Sequence, residues 1–380
     1  MTRINELTTI WNTIKEIDLR PVRNEALQEV RLAIVGCQGS GRNALAEALR
    51  NDPLHPGVEA STPILLLGVT PIETVMQQAT NVQLLILLIP AGASDTQEER
   101  KLLKIWSDAG RKSLVLINTA GIEIQSGQVV VASGSASQQQ AGWGFGSALV
   151  GSLVDEQFLT GKFAREVIER LPDRLIALGR QFPLLRQTIC NQLISDTCFS
   201  NAAYAFSTGL AEIVPVLNVP LNLTDLIVLS KTQAFLVYKL GLTLGMSTRW
   251  QDYGREFSGV LGSGFFWRQV ARLMVGLIPA WGIAPKVAVS YAGTYVVGHA
   301  VLQWYLTGRH IGRLQIRQLY RQAFGRGREL AGRLDDDQHR LGASQQKPLT
   351  KRRSNPICSK CGNKNARTAR FCQYCGNALE

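Results

Sequence analysis

Between Val30 and about Ala136, four short apolar runs, Arg31 to Val35, Ile64 to Leu67, Leu84 to Ile89 and Leu114 to Ile117, alternate with stretches of helical composition. Parallel strands are covered by helices on both faces, so they read as near-continuous apolar runs, and this rhythm predicts an α/β domain with a buried parallel sheet. The first run leads straight into Gly36-Cys37-Gln38-Gly39-Ser40-Gly41-Arg42-Asn43 and then an apolar helix from Ala44 to Leu49. Glycines at a strand-to-helix turn supply the positive φ that such a turn needs.

The glycine spacing is that of a Walker A loop, in which backbone amides cradle phosphates, a lysine reaches the β- and γ-phosphates and a hydroxyl binds Mg²⁺. Arg42 stands at the lysine position, a longer planar donor that is not equivalent to lysine. Asn43 puts a neutral amide where the hydroxyl belongs. Farther along, Leu84 to Ile89 is followed by Ala91-Gly92, and Leu114 to Ile117 by Asn118-Thr119-Ala120-Gly121.

On these residues the segment from about 30 to 137 resembles the Era-like P-loop GTPases, and the resemblance implies a G-domain-like fold. It also marks three losses. The family's base-reading N-K-x-D keeps only Asn118, with Thr119 for lysine and Gly121 for aspartate, and Gly68-Val69-Thr70 follows the second run where D-x-x-G would bring an aspartate to the metal. Gly36, Gly39, Gly41, Arg42, Asn43 and Asn118 are what remains of a nucleotide site. Hydrolysis depends on metal and positioning, so the sequence points to a scaffold rather than a turnover site, with GTP a cofactor only on the alternative reading of a regulatory nucleotide-binding protein with an atypical loop. No catalytic residue is assigned, because His55, His299, His310 and His339 stand apart from any nucleophile.

The second large region, residues 165–308, is mostly helical in composition and apolar, and is interrupted by Pro215, Pro220, Pro279 and Pro285. Glu212-Ile-Val-Pro215 to Asp225, Lys231-x-Gln233, Gly262-x-Gly264 to Arg268, and Gly276-Leu-Ile-Pro279 through Tyr295 resemble the GTPase-associated helical domain known as domain of unknown function 697. That resemblance implies a helical domain fused to a G domain and associated with membranes. From Val287 to Gly308 there is no Asp, Glu, Lys or Arg, a length sufficient to span the roughly 20-residue bilayer core. A soluble bundle buried against itself is the competing reading. Lys286 is expected to pair with Glu212 or Asp225, since buried charges need partners.

The chain ends in Cys358-x2-Cys361 and Cys372-x2-Cys375, each pair followed by a glycine. Four thiolates fill the tetrahedral shell of one zinc ion and leave no open position, so the site is structural. The segment resembles the short zinc ribbons appended to many bacterial proteins, which implies a docking module for a protein partner.

The chain has 380 residues and a net charge of +12, most of the excess lying after residue 300. Arg309, Arg313, Arg317 and Arg321 recur every four residues behind Trp304 and Tyr305. Aromatics favour the headgroup level and arginine-rich flanks the cytoplasmic side, so this order predicts a basic helix on an anionic membrane surface. A nucleic-acid partner for the basic tail and ribbon is the alternative, without the interleaved aromatics that single strands stack on.

The expected organisation is an amphipathic helix at 1–29, a degenerate G domain at 30–137, a connector at 138–164, an apolar helical domain at 165–308, a basic helix at 309–333, a flexible tether at 334–356 and the ribbon at 357–380. No secretory signal is apparent, so the expected location is the cytoplasmic side of a membrane, or the cytoplasm if the membrane reading fails.

Overall fold

The computed structural model describes residues 18–55, 57–93, 95–119, 148–211, 223–253 and 283–345. Residues 1–17 of the expected N-terminal helix, the first ten residues of the connector and the whole ribbon fall outside them. The chain divides into two compact units, residues 1–328 and 329–380.

A short helix α1 (Arg20–Ala26) precedes β1 (Leu32–Gly36), α2 (Arg42–Arg50), β2 (Leu65–Leu67), α3 (Ile72–Gln78), β3 (Leu84–Pro90), α4 (Gln97–Asp108), β4 (Ser113–Asn118) and β5 (Leu149–Gly151). The five strands form one sheet in the order β2-β1-β3-β4-β5, and every pairing is parallel. The expected parallel sheet is present, with a strand the sequence reading placed inside the connector: Leu149–Gly151 is too short to stand out as an apolar run.

Strand side chains alternate between faces, and both faces are covered. Leu32, Ile34, Leu84, Ile86, Leu88, Leu114 and Leu116 point into one core with Leu45 and Leu49 of α2. Ala33, Val35, Leu85, Leu87, Ile89 and Ile117 point into the other, against Val75 of α3 and Leu102, Leu103 and Trp106 of α4. This explains why β3 could be six consecutive apolar residues with no polar face.

After β5 a π-helical turn (Phe158–Phe163) runs into α5 (Ala164–Arg170), followed by α6 (Leu175–Gln181), α7 (Arg186–Ala211), α8 (Leu223–Thr243), α9 (Ile283–Thr307) and α10 (Arg313–Gln345). Most of these helices share the core of the sheet, and α10 packs on α9 in a smaller cluster of its own. Phe158, Phe163, Val167, Phe182, Leu185 and Ile189 join the same cluster as the first sheet face, which extends to Val297, Val301 and Leu302 of α9. A buried ion pair ties the two layers as well: Arg186 Nη1 lies 2.7 Å from Asp52 Oδ2, with side chains 16% and 3% exposed. Burial works against the Asp52 carboxylate, but the Leu54 N–H, His55 and the Arg186 guanidinium outweigh it and hold its pKa below the usual range.

Among the described residues no helix is long and apolar enough to cross a membrane, which corrects the reading of 287–308 as sufficient for a span. The reason lies in the residues of α9. It has no Asp, Glu, Lys or Arg after Lys286, but it carries Ser290, Thr294, His299, Gln303 and three tyrosines, and its polar groups serve packing. Asn201 of α7 donates Nδ2–H to Thr294 Oγ1 at 2.9 Å, Ser290 Oγ donates to the Asn201 carbonyl at 3.0 Å, and all three residues are buried. Gly298 lets α7 approach, since a Cβ there would meet Ile194 at 2.8 Å. Of the pairing expected for Lys286, Glu212 and the side chain of Asp225 lie outside the described residues, while Lys286 is half-buried and engaged with a partner.

Along α9, Tyr291, Tyr295 and His299 form a ladder, with ring centroids 6.4 and 4.2 Å apart, and Arg326 of α10 lies 5.7 Å above the Tyr295 ring. Burial, then the nearby Arg326 charge, lowers the His299 pKa from its ordinary value. The native state therefore resists a proton that the unfolded chain accepts below pH about 6.5, and stability declines as pH falls from there to the native pKa. Melting temperature should drop between pH 7 and 5 in the wild type and drop less in His299→Gln. Equal pH slopes in the two proteins would contradict this assignment.

Candidate functional site

Ligands of open α/β sheets bind beyond the carboxyl ends of the strands, where the strand order reverses. Here that point lies between β1 and β3, and the glycine loop leaves β1 beside it. Gly39 and Gly41 have φ of +82° and +101°, the left-handed region that L side chains rarely adopt, and Gly41 caps α2 so that Arg42 is its first residue.

The loop is closed from below. Ser40 is fully buried, and a Cβ on Gly36 would lie 2.5 Å from its Oγ and 2.6 Å from the Leu88 carbonyl, so only glycine fits where β1 ends. Ser40 Oγ has no hydrogen-bond partner among the described residues. Asn118, buried at the end of β4, donates Nδ2–H to the Ser40 carbonyl at 3.1 Å and accepts from Leu153 N–H through Oδ1 at 3.4 Å. It thereby joins the loop, β4 and the chain after β5. A Cβ on Gly41 would collide with the same partners, 2.9 Å from Asn118 Nδ2 and 2.7 Å from Leu153 Cδ1. Thr119, buried next door, donates its backbone N–H to the Gly151 carbonyl at 3.0 Å.

Gly36, Gly41 and Asn118, named from the sequence, thus meet in one place. Gly39 and Asn43 are exposed and Arg42 is half-buried. Gly121 lies outside the described residues. Among the described residues no cluster of His, Cys, Asp and Glu is placed to hold a metal ion. The loop amides and the α2 N-terminus favour an anion, but Asn43 offers no hydroxyl to Mg²⁺ and Gly68 no carboxylate, so the side chains present do not fit a magnesium nucleotide.

Sequence reasoning missed Ser40 and Leu153. Ser40 is an x position of the motif, and Leu153 lies in a stretch with no motif at all.

Of the surface arginines, Arg313, Arg317 and Arg321 are exposed on α10. On the adjoining side, Ile316, Leu319, Tyr320, Ala323 and Phe324 pack on Ala292, Val296 and their neighbours in α9. Gly327 comes close enough that a Cβ would meet Ala288 Cα at 2.7 Å. Arg309 is exposed too, but it sits in the turn before α10, because Gly308 at φ +64° ends α9. Part of the stretch expected as a tether, Leu334 to Gln345, is helical in the structure. Cys190 and Cys198 are buried in α7 with thiol pKa values pushed up to about 12 by burial, which keeps them protonated and inert.

Asn118→Ala should remove both ties to the loop and cost about 1–3 kcal/mol, because buried groups lose their partner. Hydrogen exchange at residues 37–41 should accelerate more than at β3. Unchanged exchange in the loop would show that the Asn118 amide does not hold it.

Cys358, Cys361, Cys372 and Cys375 lie outside the described residues, and there the comparison with known families is informative. Residues 357–379 match the family described as a zinc-ribbon domain, a match that contains all four cysteines. A comparison with curated proteins gives no match. The chain therefore joins a parallel α/β sheet and a set of packed helices to a C-terminal zinc-ribbon domain, a zinc-binding interaction module.

Proposed function

We propose that this chain is a non-catalytic scaffold, a degenerate G-domain-like sheet joined to a helical layer, which holds a zinc-ribbon interaction module at an anionic membrane surface on the cytoplasmic side. The observation that carries the reading is Asn118: both ends of its amide are engaged with backbone, which makes the remnant of a nucleotide site a structural lock. The missing hydroxyl at Asn43 and the neutral Gly68 and Thr119 point the same way. The ribbon supplies the binding face for a protein partner, and its four thiolates leave no coordination position for substrate.

Membrane contact through α10 rests on charge and exposure. Arg317 and Arg321 are exposed, no acidic residue precedes Glu329 on the helix, and Leu314 is 75% exposed next to Arg313. The helix lies along the surface in this reading and does not span it. A regulatory nucleotide-binding role is the second reading, favoured by Arg42 opening α2 beside two left-handed glycines.

Purified protein should carry about one zinc per chain, since four thiolates saturate one ion. Cys372→Ser should release it and leave the main melting transition unchanged; a shifted main transition would contradict the ribbon as an independent module.

In flotation, wild type should rise with phosphatidylserine vesicles and less so with neutral ones, and high salt should weaken binding. Each basic residue near an anionic leaflet contributes about 1 kcal/mol, so Arg317→Gln with Arg321→Gln should cost about 2 kcal/mol, roughly thirtyfold in affinity. Equal flotation of wild type and double variant would overturn the membrane contact, and salt-sensitive binding to nucleic acid alone would assign the basic face to that partner.

A further inference from the structure

A cavity of about 670 Å³ lies away from the glycine loop, between α7 and α8 and beside α1 and α6. Its size falls within the range of roughly 300–1,000 Å³ typical of small-molecule sites. Ile176, Leu193 and Phe235 give it apolar walls, while Glu25, Asp196 and Lys239 bring charges of both signs to the same space.

Two of those charges are held in place yet incompletely matched. Glu25 accepts the Ile176 N–H through Oε1 at 3.1 Å, and this is the only hydrogen bond of its side chain among the described residues. Burial, more than any other influence, raises its pKa, with Asp173 adding to the effect and the Ile176 N–H and Lys239 opposing it. Lys239 Nζ rests 5.1 Å from the centroid of the Phe235 ring and makes no hydrogen bond or ion pair among the described residues. Glu25 and Lys239 feel each other electrostatically without forming an ion pair. An ammonium has three donors and a carboxylate about four acceptor positions, so most of the capacity of both groups is unused by the protein. Half-buried charges left this way favour a ligand that supplies the missing partners, because each such group gives up water without full compensation.

We propose that this cavity binds a small zwitterion with an apolar body, its ammonium met by Glu25 and Asp196, its anionic group by Lys239, and its apolar part by Ile176, Leu193 and Phe235. An organic anion alone would leave the two carboxylates unmatched and face their repulsion, and an organic cation alone would meet that of Lys239. Two sources offer the required chemistry: a free amino acid with a large side chain, and the ethanolamine phosphate headgroup of a lipid. The site is independent of the scaffold reading.

Calorimetric titration of the full chain with L-tryptophan and with dihexanoyl phosphatidylethanolamine tests the assignment, with tryptamine and indole-3-propionate as controls that each lack one charge. At least one zwitterion should bind saturably, and tryptophan, if it is the one, about tenfold more tightly than either control, the free-energy difference expected for one hydrogen-bonded charge. Glu25→Gln, which keeps an acceptor for the Ile176 N–H, and Lys239→Met should each weaken binding by a similar factor while leaving the unliganded melting temperature near that of wild type. Binding of tryptophan alone assigns a free ligand, and binding of the lipid alone assigns a headgroup. If neither zwitterion binds, if the single-charge controls bind as tightly as tryptophan, or if Lys239→Met binds like wild type, the proposal is wrong.

Discussion

Burial of the first face of the sheet is completed by residues that follow it in the chain. Leu32, Ile34, Leu84, Ile86, Leu88, Leu114 and Leu116 are too many for α2 alone to cover, and Phe158, Phe163, Val167, Phe182 and Leu185 complete the layer. A parallel sheet exposed on one face would leave a large apolar surface in water, so sheet and helical layer depend on one another for burial. The Asp52–Arg186 pair adds a directional tie at the same boundary. Removing one partner would strand a buried charge, which is why such pairs fix geometry more than they add net stability.

That dependence gives the glycine loop its setting. Its floor is β1 and β3, through Gly36 and the Leu88 carbonyl, and its side is β4, through Asn118. The loop is held from within the protein at several points. A phosphate is therefore not required to order it, and the persistence of its glycines is explained by close approach and positive φ.

The strands with long apolar runs were legible in the sequence because burial on both faces removes every polar position. Leu149–Gly151 was not legible, since three residues carry no period and the strand exists only by pairing with β4. The uncharged run in α9 misled for a physical reason: hydroxyl and aromatic residues lower hydropathy without adding charge, and Ser290 and Thr294 turned out to be packing groups. The glycine loop and Asn118 were visible as a motif, whereas Ser40 and Leu153 could be found only from the fold. Glu25 and Lys239 sit more than 200 residues apart in sequence and share a cavity only because α1 and α8 pack in the same neighbourhood. The zinc-ribbon domain was legible, because two closely spaced cysteine pairs carry their own geometry.

The claim that the loop is a structural closure is tested most directly by calorimetric titration of the full chain with GTP and Mg²⁺. With Arg42 and Asn43 in the loop, Gly68 after β2 and Gly121 after β4, the account predicts no saturable heat up to millimolar nucleotide. Saturable, Mg²⁺-dependent binding near one GTP per chain that disappears in Arg42→Ala would contradict it and establish the chain as a nucleotide-binding regulator.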